Sequence, residues 1–299
     1  MFRFKAEQKV FEIGGVRIGG EPSKNPTVLI GSMFYHKQKL LIDERSGEFD
    51  KEEAEKLIKL QEEFSDRTGN PCMVDVIGAS PKSVEKFLDF TASVTDVPLL
   101  LDGTTAEVRV AGLRYVEEVG LLDRVVYNSL VPNYKPDEIR TMKETGIDTA
   151  ILLTLNMKDF TTLGRINTAK ELLKVARYAG IKKPLIDTCV LDVPTLGMAC
   201  RAIYALKDEL GLPAGCGPHN AISTWKGLIR KMGKQARRPV VASASSIAAM
   251  AGSDFIIYGP IETAPYVFPV VAMVDAALGY YYLENKEMLD KSHPLYRIP

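Results

Sequence analysis

Short apolar runs alternate with longer amphipathic segments along most of the chain. Eight of these runs are mostly apolar without strict alternation, a pattern typical of parallel strands that are covered on both faces. The predicted strands are residues 27–33, 73–77, 98–102, 124–128, 149–155, 184–189, 213–216 and 255–258. The seventh is the weakest prediction, because Pro213 and Gly215 lie within it and both are poor strand residues.

The segments between these runs have the period and the end signals of helices. Ser80 followed by Pro81 is an N-terminal capping signal, and Gly120 and Gly146 follow two amphipathic stretches, as helix-ending glycines do. The predicted helices are residues 50–68, 80–94, 105–119, 136–145, 165–179, 196–210, 221–232, 245–251 and 264–284.

Eight strands that alternate with helices predict an α/β protein with the (β/α)₈ TIM-barrel fold, formed as a single domain by residues 1–299. An open doubly wound sheet is the alternative. It normally carries a glycine fingerprint after its first strand, and the segment from Gly31 to His36 lacks one. Apolar residues alternate between Val10 and Ile18 around two glycine pairs. We therefore expect an N-terminal β-hairpin within residues 1–25 that covers the bottom of the barrel.

Composition narrows the class of protein further. Of 299 residues, 46% are hydrophobic and 25% charged, and 38 basic side chains balance 38 acidic ones. This neutral charge argues against nucleic acid as the main partner, since binding to phosphates needs excess Lys and Arg. The four cysteines form no CxxC pair and the first residues do not resemble a signal peptide, so we expect free thiols and a cytoplasmic location. The most apolar stretch, 265–283, contains Asp275 and two prolines and is interpreted as a buried helix, so no membrane span is predicted.

Polar side chains stand at nearly every predicted strand end, where the active site of a TIM barrel lies. They are Ser32, Asp75, Asp102, Asn128, Asn156, Asp187, His219, Asn220 and Glu262. Asp and Asn are poor strand formers, and a buried carboxylate costs free energy unless a donor meets it. Each residue alone has an ordinary explanation as a helix cap or turn residue. Together they predict an acidic, amide-rich binding site at one rim.

Several common kinds of site are missing from the sequence. It has no HExxH motif, no close His/Cys/Asp cluster and only three histidines, so no bound metal is expected. It also lacks a GxSxG nucleophile elbow and a GxxxxGK[ST] phosphate loop. No strand ends in a lysine that could form a Schiff base. His219 is either a general base or a loop residue that orders Asn220. Cys189 and Cys216 are either nucleophiles or, as we favour, small packing residues.

A pterin is a ligand that suits carboxylates and amides without a metal. Its pyrimidinone edge presents a ring N–H beside an exocyclic NH₂, and a carboxylate accepts both as a fork. Its carbonyl and remaining ring nitrogens need mixed donors and acceptors, which Asn side chains supply.

The strand-end sequences resemble those of the pterin-binding barrel enzymes, which include dihydropteroate synthase and the corrinoid-dependent methyltetrahydrofolate methyltransferases. Over nearly the whole chain the sequence is more similar to the H subunit of tetrahydromethanopterin S-methyltransferase and to its bacterial relatives that methylate tetrahydrofolate. The resemblance to the pterin-binding barrels is carried by residues 99–104, 125–129, 185–187 and 215–220. The closer resemblance is carried by Met1-Phe2-Arg3-Phe4, 11–15, 26–32 with Phe34-Tyr35, 67–71 and 258–262.

The resemblance implies roles for individual residues. Asp102, Asn128 and Asp187 match the family residues that hold the pterin ring, and Asn220 matches the asparagine near pterin N5. Asp75 is assigned to the pterin site by its strand position. The predicted catalytic residues are Asn220 and Asp187. The sequence departs from the pattern at Gly103, where the pterin family often has serine.

The implied reaction is methyl transfer between a corrinoid and N5 of a tetrahydropterin. The chain lacks the DxHxxG signature of base-off corrinoid carriers, so the corrinoid is expected on a partner protein. Tetrahydrofolate is the favoured pterin, because residues 159–165 are shorter than expected of the methanogen subunit. The alternatives are a tetrahydromethanopterin-specific subunit and a non-catalytic scaffold subunit. Dihydropteroate synthesis and a metal-free lyase reaction that uses His219 are weaker. Relatives of this fold suggest a homodimer by analogy. The aromatic run Tyr280-Tyr281-Tyr282, predicted to be exposed, is the one sequence feature that hints at self-association, and such a run is more often ordinary packing than an interface.

Overall fold

A computed structural model describes residues 3–299, so the Met1-Phe2 part of the opening motif lies outside the described residues. The strands are β1 Val10–Ile13, β2 Val16–Gly19, β3 Val28–Met33, β4 Leu41–Asp43, β5 Glu48–Phe49, β6 Cys72–Gly78, β7 Leu99–Gly103, β8 Val125–Leu130, β9 Thr149–Leu153, β10 Lys183–Asp187, β11 Ala214–Cys216 and β12 Phe255–Pro260. The helices are α1 Lys51–Thr68, α2 Pro81–Val94, α3 Ala106–Glu118, α4 Pro136–Thr145, α5 Thr162–Ala179, α6 Val193–Leu210, α7 His219–Ser223, α8 Lys226–Met232, α9 Arg237–Met250, α10 Ala264–Glu284 and α11 Pro294–Arg297.

The strands β3 and β6 to β12 form a closed parallel barrel in the order β3-β6-β7-β8-β9-β10-β11-β12, and β12 pairs with β3 to close it. All eight predicted strands are present, and the helices surround them. The predicted TIM barrel is confirmed. Because closure removes both sheet edges, every strand has two neighbours, and all carboxyl ends meet at one mouth.

The N-terminal hairpin closes the opposite end of the barrel. β1 and β2 pair antiparallel from Val10–Gly19 to Ile13–Val16. Ile13 and Ile18 are almost fully buried and join the apolar cluster that fills the barrel interior. The alternation seen in the sequence therefore places one face of the hairpin in the barrel, as predicted.

The segment after β11 differs from the prediction. A single helix was expected at 221–232, but α7 ends at Ser223 and α8 starts at Lys226. The next helix begins at Arg237 instead of residue 245, after Gly233 turns the chain with φ +86°. The small hairpin formed by β4 and β5 was not predicted, since its strands are too short to show a period.

Helix α10 is the apolar segment predicted to be buried. By length and composition alone, Ile261–Glu284 could cross a membrane, yet half of its most apolar window is buried inside the protein. Asp275 within it is fully buried and accepts hydrogen bonds from Ser23, Thr27 and Asn70. These contacts hold α10 against the barrel, as expected of a barrel helix.

The aromatic run at the end of α10 is exposed only in part, which corrects the sequence-based expectation. Tyr280 and Tyr281 face solvent, whereas Tyr282 is buried and its hydroxyl donates to the Pro22 carbonyl at 2.9 Å. Tyr282 therefore packs within the chain, as helix residues one position apart point in different directions.

Candidate functional site

A layer of polar side chains lies directly above the apolar interior of the barrel. Because strand side chains alternate between faces, a residue two positions after an interior residue also points inward. Ile30, Met73, Leu100, Val126 and Leu185 fill the interior, and two positions after each of them stand Ser32, Asp75, Asp102, Asn128 and Asp187. The structure thus brings together four of the five predicted pterin-binding residues.

Asp75 is at the centre of this layer. The Ser32 hydroxyl donates to its Oδ2 at 2.8 Å, and the Asn128 amide donates to its Oδ1 at 3.1 Å. Asp75 is 2% exposed. Burial raises its pKa above the ordinary value, and the two hydrogen bonds offset part of that rise. Asp75 is predicted to lie in the pterin site from its strand position alone. In the structure, Asp75 orients the Asn128 side chain by accepting a hydrogen bond from its amide.

Asp102 lies beside this network. It pairs in register with Asn128 on the next strand, and its carboxylate interacts with the Gly103 amide. Burial raises its pKa, and the nearby charge of Asp75 raises it further, while Gly103 and Arg109 act in the opposite direction. Two carboxylates that interact in this way do not ionise independently, so together they can hold a proton at neutral pH.

Gly103 is the position at which the sequence departs from the expected serine, and the structure shows what lies beside it. A Cβ at Gly103 would come within 2.9 Å of the Arg109 side chain. Arg109 donates to the Gly103 carbonyl at 2.7 Å and forms an ion pair with buried Glu138 at 2.7 Å. Tyr127 also donates to Glu138. An arginine network behind β7 therefore takes the space of the missing side chain.

Asp187 occupies the other side of the mouth. Its Oδ1 accepts the Cys189 backbone N–H at 2.7 Å, and Cys189 has a left-handed backbone with φ +58°. Burial raises the pKa of Asp187 to about 6, although the Cys189 amide and the charge of Arg165 pull it down. Its Oδ2 accepts no protein hydrogen bond from residues 3–299.

Arg165 is a residue that the sequence reasoning missed. Although almost fully buried, it donates to the carbonyls of Thr188 at 2.7 Å, Cys189 at 3.1 Å and Phe160. It ties the loop after β10 to the start of α5 and places a positive charge near Asp187. Arg165 lies on helix α5 and not at a strand end, where the sequence pattern predicts the polar residues of the site. An arginine in the buried stripe of that helix was the available signal.

Asn220 and His219 lie at the start of α7, on the rim next to β12. His219 Nδ1 lies 2.9 Å from the Ile257 carbonyl, and burial lowers the His219 pKa. The ring is therefore neutral with Nδ1 as the donor. It also packs against Gly259, where a Cβ would lie 2.6 Å away. Asn220 is half-buried, and its side-chain amide makes no hydrogen bond to any described residue. This geometry fits His219 as the residue that orders Asn220.

Asn156 and the strand-end cysteines Cys189 and Cys216 do not contribute reactive groups to the site. Asn156 bonds to Thr168 at 3.2 Å and serves its own loop. Burial raises the pKa of Cys189 to about 12 and that of Cys216 well above its ordinary value, so neither thiol is activated as a nucleophile. Across the part of the chain that the structure describes, no group of three His, Cys, Asp or Glu residues could hold a metal ion.

Comparisons with known proteins point to one family. The family model described as "Tetrahydromethanopterin S-methyltransferase MtrH subunit" matches residues 6–288. The H subunit of tetrahydromethanopterin S-methyltransferase from Methanothermobacter thermautotrophicus is 40% identical over 100% of both chains. The same subunit from Methanopyrus kandleri is 40% identical over 91% of each. A Yersinia pestis dihydropteroate synthase in complex with a pterine-sulfa conjugate superposes with a TM-score of 0.62 over 91% of this chain and 100% of that one. At 16% identity, that likeness concerns the fold alone.

Proposed function

Since the chain belongs to the MtrH family of tetrahydromethanopterin S-methyltransferase subunits, we propose that it binds a tetrahydropterin at the barrel mouth and moves a methyl group to or from pterin N5. The observation that carries the proposal is the inward polar layer of Asp75, Asp102, Asn128 and Asp187 above a sealed apolar interior. The relatives' names favour tetrahydromethanopterin over tetrahydrofolate, which the sequence alone had favoured.

The polar layer offers complementary groups for the pterin ring. Asp187 has a free Oδ2 and a carboxylate already oriented by the Cys189 amide, so it suits the adjacent N–H and NH₂ donors of the pyrimidinone edge. Asp75 uses one lone pair on each oxygen for Ser32 and Asn128, and so fixes the Asn128 amide with its oxygen free to accept. Asp102 is partly exposed and can donate or accept according to its proton.

Asn220 is placed to act on N5. Its amide is not held by protein hydrogen bonds among residues 3–299, and anchoring of His219 to Ile257 sets the start of α7. A corrinoid is the second substrate. Its methylated Co(III) form would supply an electrophilic methyl group in one direction, and its demethylated Co(I) form would receive the methyl group in the other. Asn220 can accept a hydrogen bond from N5–H or donate one to the N5 lone pair. It can therefore favour the state in which charge develops on N5.

The corrinoid partner and self-association are further parts of this proposal. We expect the corrinoid on a second protein that docks over the mouth, because this chain lacks a DxHxxG signature. We expect a homodimer by analogy with the fold, and light scattering on the purified chain tests it. A monomer at micromolar concentration would refute the proposed homodimer and would leave the proposed reaction unaffected.

The decisive experiment combines binding with transfer. Tetrahydromethanopterin and tetrahydrofolate are titrated separately, and methyl transfer from free methylcobalamin to each is followed by the cobalt absorbance. Saturable binding of tetrahydromethanopterin with transfer supports the proposal, and tighter binding of tetrahydrofolate would reverse the choice of pterin. Binding without transfer, with either free or protein-bound methylcorrinoid, would favour the scaffold alternative. Absence of binding to both pterins refutes the proposal.

Two variants separate the proposed roles. Asn220→Ala should lower the rate of transfer by about 10²-fold with pterin affinity nearly unchanged, since its interaction strengthens as charge develops. Asp102→Ala should mainly weaken pterin binding, by about tenfold or more. Unchanged turnover in Asn220→Ala would exclude the role given to that residue.

A further inference from the structure

Two motifs that carry the family resemblance contribute no residue to the polar layer, and in the structure they contact each other. They are Phe34-Tyr35 after β3 and the segment 258–262 at the end of β12. The Tyr35 hydroxyl donates to Glu262 Oε1 at 3.1 Å, and the Gln38 amide donates to the same oxygen at 3.0 Å. The other oxygen, Oε2, is buried and has no hydrogen-bond partner among residues 3–299. A carboxylate held by one oxygen and free at the other suggests a ligand contact.

Glu262 lies above the polar layer on the side of Asn220. Pro260 pairs with Ser32 across β12 and β3, at the level where Ser32 bonds to Asp75. Glu262 follows Pro260 by two residues toward the mouth. On the neighbouring strand, β11 leads into His219 and Asn220, and the His219 ring packs on Gly259 of β12. Glu262 and Asn220 therefore follow neighbouring strands, β12 and β11, at the same end of the barrel.

The proposed reaction requires a proton acceptor at this place. A tetrahydropterin carries a hydrogen on N5, and its methylated form does not. In methylation the N5 lone pair forms the bond to carbon, the electron pair of the cobalt–carbon bond stays on cobalt, and the N5 proton must leave. The reverse reaction must return one proton to N5. Asn220 cannot ionise, and Asp187 is assigned to the opposite edge of the ring.

We propose that Glu262 is the catalytic base that takes the N5 proton during methylation and returns it in the reverse direction, with Tyr35 and Gln38 as positioning residues. This inference rests on the proposed function. Two donors on Oε1 fix the carboxylate and leave Oε2 to accept. Glu262 as a residue is partly exposed, although Oε2 itself is buried.

The surroundings of Glu262 are consistent with this role. Tyr35 and Gln38 face it from the segment after β3. Burial raises the pKa of Tyr258 on β12, and the charges of Cys72 and Glu262 raise it further. Arg237 at the start of α9 acts electrostatically on both Tyr35 and His219. Burial and Glu262 raise the pKa of Tyr35, so its hydroxyl stays protonated and keeps donating. His219 has a lowered pKa and is neutral, so it does not compete as an acid.

The test compares Glu262→Gln with wild type in single-turnover transfer from free methylcobalamin to saturating tetrahydropterin. Glu262→Gln keeps an oxygen for Tyr35 and Gln38 but cannot accept a proton. We expect the rate to fall by about 10²-fold or more, with the pterin dissociation constant within about threefold. The wild-type rate should rise with pH to a plateau, and the variant should lack that rise. Glu284→Gln, at the exposed far end of α10, is the charge-matched control and should behave as wild type.

A second pair of variants covers the case in which Glu262→Gln fails to fold. Glu262→Ala should regain about tenfold of its lost rate in added formate, which supplies a carboxylate to the space. Tyr35→Phe should lower the rate severalfold and shift its pH profile, because Glu262 loses one fixing donor. A folded Glu262 variant that transfers at the wild-type rate, or with an unchanged pH profile, overturns the inference alone. A wild-type chain that binds no pterin overturns the proposed function instead.

Discussion

The isosteric change Asp187→Asn should make the protein more stable and less able to bind a pterin. Asp187 is 6% exposed, and its Oδ1 accepts the Cys189 amide at 2.7 Å. An asparagine keeps that oxygen and removes the charge. The substitution therefore separates the energetic cost of a buried carboxylate from its packing.

The magnitude follows from the pKa. Burial raises the pKa of Asp187 from 3.8 to about 6, which corresponds to about 3 kcal/mol against the ionised form in the folded protein. Because the folded-state value exceeds the unfolded one, the folded chain binds an extra proton between about pH 4 and pH 6. Wild-type stability should fall as pH rises through this window. At pH 8 the variant should be more stable by about 1–3 kcal/mol, and near pH 4 the difference should vanish.

Urea denaturation of both proteins at pH 4.5 and pH 8 measures this difference, with the exposed Asp96→Asn as the control that should show none. A parallel titration with the pterin should show at least a tenfold loss of affinity for Asp187→Asn at pH 8. Wild-type affinity should also fall below pH 6, as the carboxylate takes up its proton. A variant that is less stable than wild type at pH 8 would refute the reasoning about burial, and unchanged affinity would refute the assignment of Asp187 to the pterin.

Two further substitutions test how the fold supports the site. Gly259→Ala should lower the free energy of unfolding by about 1–3 kcal/mol and slow methyl transfer, because the added Cβ would meet the His219 ring. Gly120→Ala is the control: Gly120 also has a positive φ but has open space around it, so this variant should leave transfer unchanged. Ile18→Ala should lower the free energy of unfolding by about 2–5 kcal/mol in urea denaturation, since Ile18 fills the barrel end, whereas the exposed Ile42→Ala should change it little. Equal effects within either pair would contradict the packing described.

Much of the architecture was predictable because it depends on local signals. Apolar runs of strand length, helical stripes and capping residues predicted all eight barrel strands and most of the helices. The break between α7 and α8 was not predictable, because it involves no proline and depends on how residues 224–236 pack beside the mouth. Period-two alternation also implied that Asp75, Asp102, Asn128 and Asp187 share one face, once their strands were known to close a barrel.

The sequence by itself determined the order of strands and helices, the hairpin that seals the barrel and the residue types at each strand end. Tertiary structure alone decided which of these residues meet. Arg165 and Arg109 come from helices, yet they reach the acidic rim, and Glu262 meets Tyr35 from a position 227 residues away. The physical reason is that secondary structure follows from neighbours in sequence, whereas the charge, burial and hydrogen bonding of a site depend on groups brought together by closure of the barrel.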